Sequence, residues 1–355
     1  MPVAVPLRFL SPIIAAVILA GDVGGTKTIL GLFSRREGRL VVAREAKYPS
    51  AGGGSLEVII EAFLSEGRER VTACALGVAG PVTGGKTDVV NLPWVVDARR
   101  LARRLGVPKV HLLNDLEATA WGIGALPPGK TAALTPRLAP RPGNAALLAA
   151  GTGLGTALLH WDGRRHWPTA GEGGHVGFAP RNEDEIELLR FSLRRFDRLS
   201  LDRLVSGPGL RLIYDFLVES GRGAASSAMK RRLAERDPSA AITEAGLRGE
   251  DPTAERALDW FVSLYGSAAG DLALSAGAVG GVWVGGGIAP RILPKLRSGA
   301  FLAAFRSKGR LSPFLQRVPV RVILEPRAAL LGAAVRAARE MPGSLPASPI
   351  GRPRR

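Results

Sequence analysis

The chain has 355 residues and a formal charge of +17, from 48 basic and 31 acidic side chains, and 46% of it is hydrophobic. This excludes intrinsic disorder and allows a core large enough for two lobes. Cys74 is the single cysteine, which excludes an intrachain disulfide and a cysteine metal cluster. Arginine is scattered, with few aromatics interleaved. The charge therefore reads as a solvated basic surface that favours anionic ligands, with no specific nucleic-acid partner. Residues 3–20 are apolar, but Pro6, Arg8 and Pro12 interrupt them and they lead straight into a glycine turn. We read no membrane span and no cleaved signal, and expect a cytoplasmic protein with residues 1–12 as an extension.

Residues 13–31 form the first chemical stretch. An apolar, β-branched run reaches Asp22, turns through Gly24 and Gly25, passes Thr26 and Lys27, and resumes as an apolar run from Ile29. This predicts a β-hairpin whose tip is too rich in glycine for a plain turn. Glycines let backbone N–H groups approach an anion, and Asp22 adds a carboxylate for a hydrated cation. A phosphate with its metal is the economical occupant. Residues 40–46 read as a third strand, and Ser55 caps a helix to Leu64. Residues 71–78 read as a buried strand, ending in a loop that holds Gly80 and Pro81. Ligands of α/β proteins gather at such carboxyl ends. Asn91 follows a short apolar strand, and Asp97 caps a basic helix to about Leu105. Residues 110–113 run as a strand into Asn114 and Asp115 at the start of an alanine-rich helix. The helix dipole favours a carboxylate there.

Residues 127–142 read as a surface connection. Residues 145–159 then repeat the opening device, with Gly151, Thr152, Gly153 and Gly155 at the tip. Two such hairpins predict an internal duplication whose tips face each other across a cleft. Glu172 and His175 stand in a four-glycine loop that bares them to a polyhydroxy ligand. Asn182 and Glu185 predict a capping box for a helix to about Phe196. Ser206-Gly207-Pro208-Gly209 opens another helix. Residues 220–250 carry no legible chemistry. A long helix spans about 252–276, and a short strand from Gly281 ends in Gly285, Gly286 and Gly287, followed by a helix. Such a turn lets a flat base or ribose lie on the backbone. Residues 318–324 read as a strand, Pro326 starts a last helix to about Arg339, and the tail reads as disordered.

These stretches resemble the actin-like sugar kinase superfamily. Residues 21–26 are similar to its first phosphate motif, 151–155 to its second, and 285–288 to its adenosine motif. Within it, residues 113–115, 171–180, 205–210, 280–290 and 299–310 resemble bacterial ATP-dependent glucokinases, and the likeness covers roughly 17–338. The resemblance implies an α/β, two-lobed actin-like (ribonuclease H-like) fold with duplicated mixed β-sheet domains flanked by helices. The small domain would hold 13–116 plus 327–341 and the large one 117–326, with 1–12 and 342–355 as extensions.

The implied reaction is phosphoryl transfer from ATP to the 6-hydroxyl of glucose, with Asp115 as general base. Asn114, Glu172 and His175 would bind the other hydroxyls. Asp202 stands where the family has a glutamate one methylene longer. Gly80, Pro81 and Asn91 complete the expected sugar contacts. Asp22, Gly24, Gly25, Thr26, Lys27, Gly151, Thr152, Gly153, Gly155 and Gly285–Gly287 would hold ATP. Asp22 would orient the waters of Mg²⁺. The cysteine-rich zinc motif of a related kinase and repressor family has no counterpart here, so no zinc site is expected. The resemblance also implies a homodimer. The alternatives are a kinase for another hexose or amino sugar, a polyphosphate or ADP donor, and a catalytically silent sugar-sensing regulator. Such a regulator carries a helix-turn-helix module, for which the stretch before the first glycine tip is too short.

Overall fold

The computed structural model describes residues 16–52 and 54–341. The expected extensions at 1–12 and 342–355, and the first three residues of the opening apolar run, lie outside the described residues. The chain forms two compact units, one running to Ala118 and resuming at Ala329, the other holding Thr119–Ala328. It passes between them within one helix and again near the start of another.

The first unit is built on seven strands: β1 Ala16–Val23, β2 Lys27–Arg36, β3 Arg39–Pro49, β4 Arg70–Val78, β5 Lys86–Asp88, β6 Val95–Asp97 and β7 Val110–Asn114. Five make a mixed sheet in the order β3-β2-β1-β4-β7, and β5 and β6 form a small ribbon. The alternation in β1 sorts its side chains to two faces. Val17, Leu19 and Val23 pack with Leu56, Ile59, Ile60 and Phe63 of α1 (Leu56–Ser65) and Leu101 of α2 (Ala98–Leu105). Ile18 and Ala20 pack with Leu330, Ala333, Ala334 and Ala337 of the last helix, Ala328–Ala338. Alanine against alanine lets that helix lie close to the sheet. Each fully buried Leu or Phe contributes roughly 1.5–3 kcal/mol.

The second unit starts within α3 (Asp115–Gly122) and continues through β8 Thr131–Ala133, β9 Ala145–Ala150, β10 Leu154–Trp161 and β11 His166–Gly171. Helices α4 Glu183–Leu193, α5 Gly207–Glu219, α6 Ser227–Glu235, α7 Pro238–Arg248 and α8 Pro252–Ala276 follow, then β12 Gly281–Gly285 and β13 Val320–Ile323. The sheet order is β11-β10-β9-β12-β13-β8. Phe261, Tyr265, Phe301 and Phe305 anchor one large core. No helix among the described residues is long and apolar enough to cross a membrane.

The structure corrects several local readings. The third strand is longer than 40–46 because β3 pairs with β2 from Arg39 to Pro49. Residues 127–142 are more than a surface connection, since β8 pairs with β13 and buries Ala132. Residues 220–250, for which the sequence offered no reading of chemistry, hold α6 and α7, whose Met229, Ala241 and Ile242 join the core; this adds structure there without contradicting that reading. Ser55 occupies the N-cap position, but its side chain bonds no helix amide. Asn182 caps Glu185 N–H, whereas the Glu185 carboxylate takes the Arg181 N–H in place of the reciprocal capping-box bond. Helix α4 ends at Leu193 rather than near Phe196, and a turn separates Gly287 from the next helix at Leu293. Asp97 accepts from Arg99 and Arg100 N–H at the start of α2, as expected of a cap.

His111 of β7 is buried, with Nε2 3.0 Å from Glu340 Oε1. Burial, reinforced by Arg336 and Lys109 and opposed by Glu340, lowers its pKa from 6.5 to about 4. The unfolded chain therefore binds the extra proton first as pH falls. Stability should drop by ~3 kcal/mol between pH 6.5 and about 4, and His111→Gln should flatten that part of the curve. Thermal melts across this range check it; identical slopes in both proteins would contradict it.

Candidate active site

In the first unit β1, β4 and β7 run parallel, with Val23 opposite Val78 and Val78 opposite Asn114. That register delivers three carboxyl ends to one edge of the sheet. After β1 the chain turns at once: Gly24 N–H donates to the Lys27 carbonyl (3.0 Å). A Cβ on Gly25 would lie 2.7 Å from the Val90 carbonyl, so only glycine fits there. Ala79 N–H donates to Val23 O (2.9 Å) and Val90 N–H to Ala79 O (3.0 Å), which draws the loops after β1, β4 and β5 together. Asn91, beside Gly25, adopts a left-handed φ of 63°. Gly80 has φ 143°, and a Cβ on it would meet the Asp88 carbonyl at 2.7 Å.

Asn114 ends β7. Its amide donates to the Gly80 carbonyl (3.3 Å) and its Oδ1 accepts from Leu116 N–H (2.8 Å). Asp115 opens α3, and its Oδ1 also accepts from Leu116 N–H (2.9 Å). Asp22 is half-buried at the end of β1. Burial raises its carboxyl above the ordinary range, and the Lys27 ammonium opposes the shift. Lys27, Thr26 and Pro81 are exposed. The unit thus gathers Asp22, Gly24, Gly25, Thr26, Lys27, Gly80, Pro81, Asn91, Asn114 and Asp115 at one edge.

The second unit repeats the device. Strands β9 and β12 are parallel, with Gly285 opposite Ala149. Gly151 N–H donates to Gly153 O (2.8 Å), closing the β9–β10 tip around Thr152, and Gly207 N–H donates to Gly151 O (2.8 Å). Gly286 has φ 83°, and a Cβ there would fall 2.2 Å from the Ala150 carbonyl. Gly285 and Gly287 flank it. Gly155 is the second residue of the return strand.

The glycine loop after β11 rests on this hairpin. Thr156 Oγ1 donates to Gly171 O (3.0 Å) and accepts from Gly173 N–H (3.0 Å), bracketing Glu172. Glu172 and His175 are exposed, with Oε2 and Nε2 3.9 Å apart. Asp202 joins loop and hairpin: its N–H donates to Gly174 O (2.7 Å) and its Oδ1 accepts from Leu154 N–H (2.7 Å). One of its two carboxylate oxygens is therefore committed to backbone.

Three side chains that shape these loops were missed in the sequence. Tyr265 of α8 accepts from Ala150 N–H (3.1 Å) and donates to Gly285 O (3.2 Å), so it bridges both glycine turns. Its only sequence signal is a hydroxyl on a fully buried helix face, which must find a partner. Ser50, just after β3, and Thr156, within β10, are hydroxyls with no signal of their own. Among the described residues no three His, Cys, Asp or Glu side chains are placed to share a metal ion. Mg²⁺ keeps several waters and binds proteins through one or two carboxylates, so the residues here, a single Asp22 beside a glycine turn, would fit that ion.

A family model described as Glucokinase matches residues 19–340. The chain is similar to the glucokinase of Nostoc punctiforme, 38% identical over 347 residues, covering 91% of this chain and 99% of that one. It is also similar to a crystal structure of glucokinase from an Antarctic psychrotroph, with a TM-score of 0.79, 28% identity, and coverage of 90% and 98%. A glucokinase from Balamuthia mandrillaris, solved in complex with glucose, has a TM-score of 0.74 at 21% identity and coverage of 91% and 93%, and shares the fold. The fold is the actin-like fold of sugar kinases. Matched by the family model along most of its length and by curated relatives of this identity, the chain belongs to the glucokinase family.

Proposed function

We propose that Asp115 is the general base in the transfer of the ATP γ-phosphoryl group to the 6-hydroxyl of glucose, the reaction of this family. The observation that carries the assignment is the junction of β7 and α3. It sets Asp115 on the first turn of a helix, beside an Asn114 anchored to the Gly80 carbonyl. A helix N-terminus favours a negative charge at that position.

In the proposed step the 6-oxygen bonds to the γ-phosphorus as the bond from phosphorus to the ADP oxygen breaks. The alcohol proton passes to Asp115. Proton acceptance of this kind contributes roughly 10²–10⁴-fold. Positioning and charge neutralisation supply most of the remainder. The turns Gly24–Lys27 and Gly151–Gly155 hold the phosphates through the tip amides not already spent within the chain, and Gly285–Gly287 support the adenosine. Asp22 would hold Mg²⁺, which would supply positive charge to neutralise the phosphates. Asn91, Asn114, Glu172, His175 and Asp202 bind the sugar hydroxyls, beside the Gly80–Pro81 backbone. A sugar lacking one partner leaves a polar group unpaired, which discriminates strongly. The glucose complex of the Balamuthia mandrillaris relative supports the sugar assignment. We place the reaction in the cytoplasm and carry the implied homodimer as a proposal, which light scattering tests.

Asp115→Asn should lower kcat by roughly 10²–10⁴-fold while calorimetry shows glucose affinity retained. Substantial turnover in that variant would remove Asp115 from the role. Asp202→Asn keeps an oxygen for Leu154 N–H and loses the charge offered to the sugar. Glucose KM should rise on the order of tenfold with ATP KM unchanged. An equal rise in both constants would show that Asp202 serves the hairpin alone.

A further inference from the structure

Ser50 follows the last residue of β3 and is fully buried, with 1% exposure. It makes three contacts with the first glycine tip. Its N–H donates to the Thr26 carbonyl (3.0 Å). Its hydroxyl donates to the Gly24 carbonyl (2.7 Å). Its Oγ also lies 3.0 Å from Thr28 Oγ1. A serine hydroxyl has one proton, and here it goes to Gly24. Thr28 must therefore be the donor in the hydroxyl pair. A chain of two hydroxyls polarises the bond to Gly24 and strengthens it.

The consequence lies on the other side of each peptide plane. The chain has no cis peptides among the described residues. In a trans peptide the C=O and the next N–H point in opposite directions. Fixing the Gly24 and Thr26 carbonyls toward Ser50 therefore turns the N–H groups of Gly25 and Lys27 away from it. Gly24 N–H is already spent on Lys27 O. The amides that remain for an outside acceptor are thus aimed by a residue that itself faces the opposite way. A Cβ on Gly25 would meet the Val90 carbonyl at 2.7 Å, so no side chain can stand on that side of the turn.

We infer that Ser50, with Thr28 behind it, is a positioning residue that aims the first phosphate turn at the nucleotide. The inference rests on the reading of Gly24–Lys27 as a phosphate turn. Ser50 touches no reacting atom; it acts through the peptide planes that flank Gly25.

The test uses the full chain and separates the ATP and glucose constants. Ser50→Ala should raise the KM for ATP, and the Kd for a non-hydrolysable ATP analogue, on the order of tenfold. Glucose KM should stay within about twofold. Thr28→Val leaves Ser50 in place without its donor and should raise ATP KM about threefold. The double variant should be no worse than Ser50→Ala, because Thr28 acts through Ser50. A merely structural role would instead move both constants together and add in the double variant, and either result overturns the inference. If Ser50→Ala does not fold, Thr28→Val decides, and an unchanged ATP KM overturns it. Amide resonances of Gly25 and Lys27 in the wild-type chain, titrated with the analogue and Mg²⁺, separate the two layers. Shifts with no change of ATP affinity in Ser50→Ala remove only the positioning role. Absent shifts remove the phosphate reading and this inference with it.

Discussion

Backbone that must lie close to a nucleotide requires strand ends that carry no side chain, and each unit has such glycine ends in its own sheet. At Gly25 and Gly286 a single methyl group would collide with a carbonyl at 2.7 and 2.2 Å. Those carbonyls belong to Val90 and Ala150, which themselves hold the loops together. The glycines are therefore fixed from two directions, by what must approach them and by what already lies behind them. Substitution there disturbs the scaffold as well as the ligand surface.

The scaffold that holds these turns is apolar, and the turns are tuned by a few hydroxyls. In the first unit, opposite faces of one sheet bury large side chains against α1 and α2 and alanines against the last helix. In the second, Tyr265 reaches from the core to both glycine turns, spending its hydroxyl on Ala150 and Gly285. Thr156 and Asp202 tie the Glu172–His175 loop to the neighbouring hairpin. The loops carry exposed polar side chains, whereas their backbones are anchored by buried ones. That division lets a surface loop present Glu172 and His175 while its backbone stays pinned to β10.

Much of this was legible in the sequence because it is local. Glycine tips between apolar runs, the cap at Asp97 and the helix over 252–276 depend on residues a few positions apart. Strand β8 was hidden because three residues pairing at an edge leave no periodicity. Helices α6 and α7 were hidden by an arginine-rich surface that leaves few apolar anchors, such as Met229 and Ile242. The long-range hydroxyls were the least legible. Tyr265 lies 115 positions from Ala150, and Ser50 lies 26 from Gly24. Such contacts are products of sheet register, and a serine or tyrosine with this task looks like any other. The commitment of Asp202 to Leu154 was equally invisible.

The central claim is that the bare amides of the two glycine tips hold the terminal phosphates while Asp115 takes the proton of the sugar. The most direct measurement is a crystal structure of the chain with glucose, Mg²⁺ and a non-hydrolysable ATP analogue. The account predicts an Asp115 carboxylate oxygen within ~3.2 Å of the glucose 6-oxygen, with the Gly25 and Gly153 amides on phosphate oxygens. A triphosphate bound away from both tips, or a 6-hydroxyl out of reach of Asp115, would contradict it.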